Sequence, residues 1–245
     1  LGFVCGSRLE NISIFDIRYS YLPAWPGEGA AVRIGLLGGT FNPIHIGHLR
    51  AAVEVREAFN LDKLLLIPSA NPPHKSIDHV ADAEDRLEMV RLAIKGVPFL
   101  EVSDVELTRP GPSYTIETLR YFQDQYGPGS EIHFIVGQDA FSEITTWKSY
   151  KALFSTAHFI VMTRPGSKLS SIKHFIHTHI SEGYQYDPAN NRYVHPERCT
   201  IFCVDITHID VSASEIRDRI RNGRPIRFLV PDTVEVYIAE KGLYS

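Results

Sequence analysis

The stretch "VRIGLLGGTFNPIHIGH", Val32–His48, decides how the chain is read. Val32, Ile34, Leu36 and Leu37 make a buried strand, which Gly38 and Gly39 end. From Ile46 to Phe59 the apolar residues Leu49, Ala52 and Val53 fall at helical spacing. Glycines between a strand and a helix let backbone N–H groups approach an anion without hindrance from Cβ, at the positive end of the helix. His45 and His48, three positions apart, fall on one side of the first helical turn, and Gly47 between them leaves room for a ligand. Together they read as a phosphate cradle with two imidazole donors, suited to charge that develops on a phosphoryl group. The string is neither the P-loop pattern G-x-x-x-x-G-K-[ST] nor the dinucleotide pattern G-x-G-x-x-G. Zinc-binding histidines usually sit four apart with a glutamate, so no metal site made of protein ligands is expected.

Outward from this stretch, strand and helix signals alternate. Lys63–Ile67 reads as a buried strand ended by Pro68, and Asp82–Gly96 as a helix with acidic residues in its first turn. Phe99–Val102 is a short strand, and Tyr114–Tyr126 is a helix opened by Ser113 and closed by Gly127. Two more strands, Glu131–Val136 and Ala157–Met162, bracket a Trp147–Phe154 helix. Cys199–Val204 is the last strand, and helices over Ser212–Asn222 and Asp232–Glu240 follow. This alternation predicts an α/β fold, a Rossmann-like doubly wound, mostly parallel sheet with helices on both faces. In such sheets a ligand lies beyond the carboxyl ends of the strands where their order reverses, and the glycine turn is at such an end.

The 245 residues suit one domain, and a hydrophobic share of 44% supplies its core. A net charge of −4 argues against a nucleic-acid surface but leaves room for a single nucleotide. No apolar run reaches the ~20 residues of a membrane helix, and the first residues do not read as a signal peptide. Three cysteines without C-x-x-C spacing indicate reduced thiols and a cytoplasmic protein. Residues 1–31 lack periodicity and end in "PAWPGEGAA", which predicts a disordered N-terminal extension ahead of a domain over 32–245. Gly27–Glu28–Gly29 must be encoded by a purine-rich string resembling a ribosome-binding site, so translation is expected to start at Val32. Residues 168–198 form an insertion, with "YQYDPANNRYV" as a β-hairpin, expected to be replaceable by a short loop. The "IHTH" of Ile176–His179 reads as solvated histidines rather than as a metal site.

"GGTFNPIHIGH" resembles the (H/T)-x-G-H signature of the nucleotidyltransferase superfamily. "PSANPPHK", "SYTIETL", "FIVGQDAF", Thr146–Trp147, "TRPG" and "VSASEIR" resemble, in order and spacing, the bacterial nicotinate mononucleotide adenylyltransferases. That resemblance implies adenylyl transfer from ATP to nicotinate mononucleotide, giving nicotinic acid adenine dinucleotide and pyrophosphate. It implies in-line attack at the α-phosphate without a covalent intermediate, with Mg²⁺ carried mainly on the ATP phosphates. His45 and His48 would be catalytic. Gly38, Gly39, Thr40, Phe41, Gly137, Asp139, Ser212, Ser214 and Arg217 would join them in holding ATP. Asn42, His74, Lys75, Thr115, Trp147 and Arg164 would hold the mononucleotide, with Trp147 stacking on the pyridine. Asn42 stands where many members carry aspartate, and "SAS" replaces the more frequent "SST". Two other readings remain open at this point. One is transfer to another phosphate acceptor such as phosphopantetheine, and the other is a non-catalytic nucleotide-binding module. The sequence leaves open whether the chain forms a homo-oligomer.

Overall fold

Strands form where apolar side chains crowd both sides of the backbone, as a parallel sheet covered on two faces requires. In the computed structural model, residues 32–70, 80–163 and 169–245 are described, without the side chains of residues 169 and 170. The expected extension over 1–31 and the site residues His74, Lys75 and Arg164 lie outside them. Eight strands form one sheet: β1 Arg33–Gly39, β2 Lys63–Pro68, β3 Leu100–Val102, β4 Glu131–Gly137, β5 His158–Thr163, β6 Gln185–Asp187, β7 Arg192–His195 and β8 Arg198–Asp205. Their order is β3-β2-β1-β4-β5-β8-β7-β6. Neighbours pair in parallel from β3 through to β8, and β7 then pairs antiparallel with both β8 and β6. The chain winds one way from β1 to β3 and then returns to lay β4 against the other side of β1. The switch point therefore lies between β1 and β4.

The two-residue period of the strands sorts their side chains into two cores. Ile34, Leu36, Leu65, Ile67, Phe134, Val136, Phe159 and Val161 face one side. There they meet α4 (Thr115–Tyr126) through Ile116, Leu119 and Phe122, and α6 (Tyr150–Thr156) through Leu153 and Phe154. Leu37, Leu64, Leu66, Ile135 and Ile160 face the other side. They pack on α1 (Ile46–Phe59), α2 (Ala83–Ile94), α8 (Ala213–Arg221) and α9 (Asp232–Lys241). Gly35 faces this second core, where a Cβ would come within 2.7 Å of Leu61 Cδ1. Among the described residues no helix is long and apolar enough to cross a membrane. The doubly wound α/β sheet expected from the sequence is the architecture found.

Some local expectations change. Trp147–Phe154 is not one helix: a 3₁₀ turn over Ile144–Thr146 precedes an extended Trp147, and α6 starts only at Tyr150. Ser149, in the left-handed region at φ 53°, turns the chain between them. Two short helices without a sequence signal also appear, α3 (Val105–Thr108) and α5 (Gln138–Ser142). Residues in the 168–198 insertion form α7 (Leu169–Phe175), a single π turn over Ile176–Ile180, and the β6–β7 pair. Ile172, Ile176, Ile180, Tyr184 and Tyr193 from it are buried in the first core. Tyr184 donates its hydroxyl to the Cys199 carbonyl at 2.8 Å, and β7 covers what would be the free edge of β8. The segment fills the core beside α5, α6 and β8, which argues against its being a replaceable loop.

Candidate active site

At the switch point the carboxyl ends of β1 and β4 border a cleft of about 1130 Å³. Its floor is Gly38, Gly39, Thr40, Gly137 and Asp139, and the N-terminus of α1 supplies His45, Gly47 and His48. Asp139 sits in the first turn of α5 rather than at the strand end. One wall carries Thr115, at the start of α4, and Trp147. The wall opposite runs from Ile206 to Ser212, and Ser212 caps α8 by accepting the Glu215 N–H at 3.2 Å. The fold thus brings Gly38, Gly39, Thr40, His45, His48, Thr115, Gly137, Asp139, Trp147 and Ser212 into one space.

The two histidines are fixed by each other. His45 is the N-cap of α1, and its backbone N–H donates to His48 Nδ1 at 3.3 Å. An Nδ1 that accepts leaves the proton of a neutral His48 ring on Nε2. The rings stack with centroids 3.7 Å apart, and Phe41 meets His48 edge-on at 5.1 Å. Burial depresses His45 to about 4, so this ring is neutral at physiological pH. Its Nδ1 is buried without a partner among the described residues. Gly47 lines the cleft, and a Cβ there would come within 3.1 Å of both His45 Nδ1 and Val211 Cγ1, so close packing of these two wall residues also favours glycine.

Behind the turn, other residues from the sequence reading act on the backbone. Phe41, with φ 46°, and Asn42 are buried and do not line the cleft. Asn42 Oδ1 accepts from the Ala81 N–H at 3.0 Å and from the Tyr244 hydroxyl at 2.7 Å. Arg217 donates from Nη1 to the Asn42 carbonyl at 2.8 Å, and its buried Nε has no partner among the described residues. Ser214 is 3.1 Å from Ser212 by their hydroxyl oxygens. Asn42, Phe41, Ser214 and Arg217 therefore stand behind or beside the cleft wall.

The sequence reading also missed residues. Glu106, on α3, lines the cleft and accepts the Thr118 hydroxyl at 2.7 Å, and burial raises its pKa. Lys148 lies 4.0 Å over the Tyr114 ring and pairs with Glu117 at 2.8 Å, which fixes the wall next to Trp147. Trp147 itself rests edge-on against Phe134, with centroids 6.0 Å apart. Thr207, His208 and Asp210 line the opposite wall, and the Thr207 N–H is held by Glu54 of α1 at 2.7 Å. An apolar-alternating run such as "ITHIDV" carries no catalytic spacing, so nothing in the sequence singled these residues out. Among the described residues no three His, Cys, Asp or Glu side chains group as metal ligands. Nucleotidyltransferases of this kind generally use a divalent metal with ATP.

Comparison with known proteins agrees with this geometry. The profile of the cytidylyltransferase-like family matches residues 36–219. The chain is 47% identical over 219 residues to a probable nicotinate-nucleotide adenylyltransferase of Desulfatibacillum aliphaticivorans, covering 87% of this chain and 100% of that protein. A protein of the same description from Geobacter sp. (strain M21) is 45% identical, with 87% and 98% covered. A Plasmodium falciparum nicotinic acid mononucleotide adenylyltransferase, solved in complex with NaAD, shares the fold with a TM-score of 0.67 at 18% identity, covering 87% of this chain and 97% of that one. With 87% of its length aligned to such relatives, this chain belongs to the nicotinate-nucleotide adenylyltransferase family, within the cytidylyltransferase-like nucleotidyltransferases.

Proposed function

We infer that the cleft transfers the adenylyl group of ATP to the phosphate of nicotinate mononucleotide, releasing pyrophosphate and nicotinic acid adenine dinucleotide, a step of NAD biosynthesis. The observation that carries this reading is the stacked His45–His48 pair at the N-terminus of α1, set against the Gly38–Gly39 turn at the switch point. A mononucleotide phosphate oxygen attacks the α-phosphorus while the bond to the pyrophosphate oxygen breaks, so no side-chain nucleophile takes part. Such a reaction is catalysed by positioning and charge stabilisation. His48 Nε2–H donates to an α-phosphate oxygen, where negative charge gathers in the transition state. His45, neutral through burial, supports that ring by stacking and by its backbone bond to Nδ1.

Gly38, Gly39 and Gly137 let the phosphates and adenosine approach the backbone, Ser212 and Asp139 complete the ATP side, and Phe41 and Ser214 support it from behind and beside the wall. Arg217 Nε, a buried donor without a partner among the described residues, would be satisfied by an anion. On the mononucleotide side Trp147 stacks on the pyridine, and the Thr115 hydroxyl and the first N–H groups of α4 meet its polar groups. His74, Lys75 and Arg164, which lie outside the described residues, are assigned to the same side by the resemblance, and Asn42 supports it from behind the wall through Ala81 and Tyr244. A divalent metal such as Mg²⁺ would be held mainly by the ATP phosphates and would offset their charge. Cys199 and Cys203 are free thiols, which suits a cytoplasmic enzyme. The deciding assay is pyrophosphate release from ATP with nicotinate mononucleotide, run beside the amidated mononucleotide and phosphopantetheine. Release with the nicotinate acceptor supports the reading, and release only with another acceptor replaces it.

A further inference from the structure

Arg86, in the first turn of α2, has only 1% of its surface exposed, yet it is charged. Burial lowers its pKa, but a guanidinium starts high enough to keep its proton. It donates from Nη1 to the carbonyls of Thr40 at 2.8 Å and Ser69 at 2.7 Å. Nη2 reaches the Ala70 carbonyl at 3.2 Å, and Nε the Ala81 carbonyl at 2.9 Å. These acceptors come from three places: the turn after β1, the exit of β2, and the residues ahead of α2. Thr40 and Ser69 both line the cleft. The Ala70 N–H in turn donates to Ser113 Oγ at 3.0 Å, just ahead of α4, so the linkage extends towards the Trp147 wall.

A buried charge is costly, and an apolar side chain would fill the space at less expense if packing were all that mattered. What arginine adds is a rigid fork that binds several oxygens at once, which lysine lacks. Carbonyls drawn towards a guanidinium also turn their negative ends away from the anion site, and the charge lies directly behind its wall. We propose that Arg86 is a positioning residue that holds the Gly38–Thr40 turn and the Ser69–Ala70 turn at one separation, so that the two reacting phosphates meet in line. This rests on the adenylyl-transfer reading above. A displacement of about 1 Å between reacting groups can cost on the order of a hundredfold in rate.

The test uses Arg86→Lys, which keeps the charge but loses the fork, and Arg86→Met, which keeps the bulk but loses the charge. Each is checked for folding by circular dichroism before steady-state kinetics. Both are expected to lose roughly tenfold or more in kcat, with KM for ATP and for nicotinate mononucleotide moving less than about threefold. A purely structural arginine would lower the melting temperature and leave kcat of the folded enzyme within about twofold of wild type, and that result overturns the proposal. A rise in KM with unchanged kcat overturns it too. If neither variant folds, wild-type protein labelled with ¹⁵N-arginine decides. The Arg86 Nε signal must shift when a non-hydrolysable ATP analogue and the mononucleotide are both bound, and a signal blind to them refutes the role. Wild-type enzyme inactive with both substrates overturns the reaction and this role together, whereas an active wild type matched by Arg86→Lys overturns the role alone.

Discussion

Replacing His48 by alanine separates the chemistry of the cradle from its construction. The structural loss includes one backbone bond to Nδ1 at 3.3 Å, the stack on His45 and the edge contact with Phe41. A long bond of this kind contributes about 0.5–1 kcal/mol and each of the two ring contacts about 0.5–1.5 kcal/mol, so His48→Ala should destabilise the fold by about 1.5–4 kcal/mol. A domain with ordinary stability of about 5–15 kcal/mol can remain folded after that loss. The catalytic loss is read separately, in kcat of the folded enzyme: a preorganised donor to developing charge is worth about 2.7–4 kcal/mol, or roughly a hundred- to thousandfold. His48→Asn sharpens the test, since an amide oxygen can still accept the His45 N–H while its NH₂ falls short of the Nε2 position. It should keep most of the stability and still lose most of the rate. Pyrophosphate release under saturating substrates, alongside thermal melts, measures both quantities. A His48→Asn enzyme with kcat within about threefold of wild type would refute the donor role, because only positioning of the helix end would then matter.

Trp147→Ala should raise KM for nicotinate mononucleotide by roughly ten- to a hundredfold, from about 1–3 kcal/mol of stacking, and change KM for ATP far less. Equal losses for both substrates would mean that its contact with Phe134 matters more than any ligand. Replacing residues 168–198 by a short loop should prevent folding. Five buried side chains at about 1.5–3 kcal/mol each sum to the order of a domain's whole stability, and a soluble variant with a near-native melt would contradict this. His45 and His133 are both held at about 4, against an ordinary 6.5, by burial. The unfolded chain binds more protons between those values, so stability is intact above pH 6.5 and falls as the pH drops towards 4. The slope reaches about 1.4 kcal/mol per pH unit per histidine, and His133→Leu should flatten that acid limb in urea melts; an unchanged slope would show that carboxylates dominate it.

The sequence carried the sheet because parallel strands buried on both faces are written as short continuous apolar runs, and Lys63–Pro68 and Glu131–Gly137 are of that kind. The glycine turn and the His45–His48 spacing were legible for a similar reason, since local backbone freedom and helical periodicity are properties of neighbours in the chain. What was not legible depends on distant partners. Asn42 was read as a substrate contact, whereas its oxygen is occupied by Ala81 and Tyr244, residues 39 and 202 positions away. The buried face of the 168–198 insertion was hidden by polar spacing, because Ile172, Ile176 and Ile180 meet the core through a helix that ends in a π turn.

Arg86 shows where the boundary lies. It stands three residues before Met89 and four before Val90, both fully buried, so it occupies the apolar stripe of α2. A charge on that stripe is a signal available in the sequence, since a helix that turned Arg86 to solvent would turn Met89 and Val90 outward with it. The sequence could thus mark Arg86 as a buried cation in need of acceptors. It could not say which acceptors, because backbone carbonyls are present at every residue and carry no pattern. Side chains that act on a ligand leave spacing behind them, as His45 and His48 do. A side chain that acts on the backbone of a distant turn leaves only its misplaced charge, and the acceptors become visible when the β1 and β2 exits lie side by side over α2.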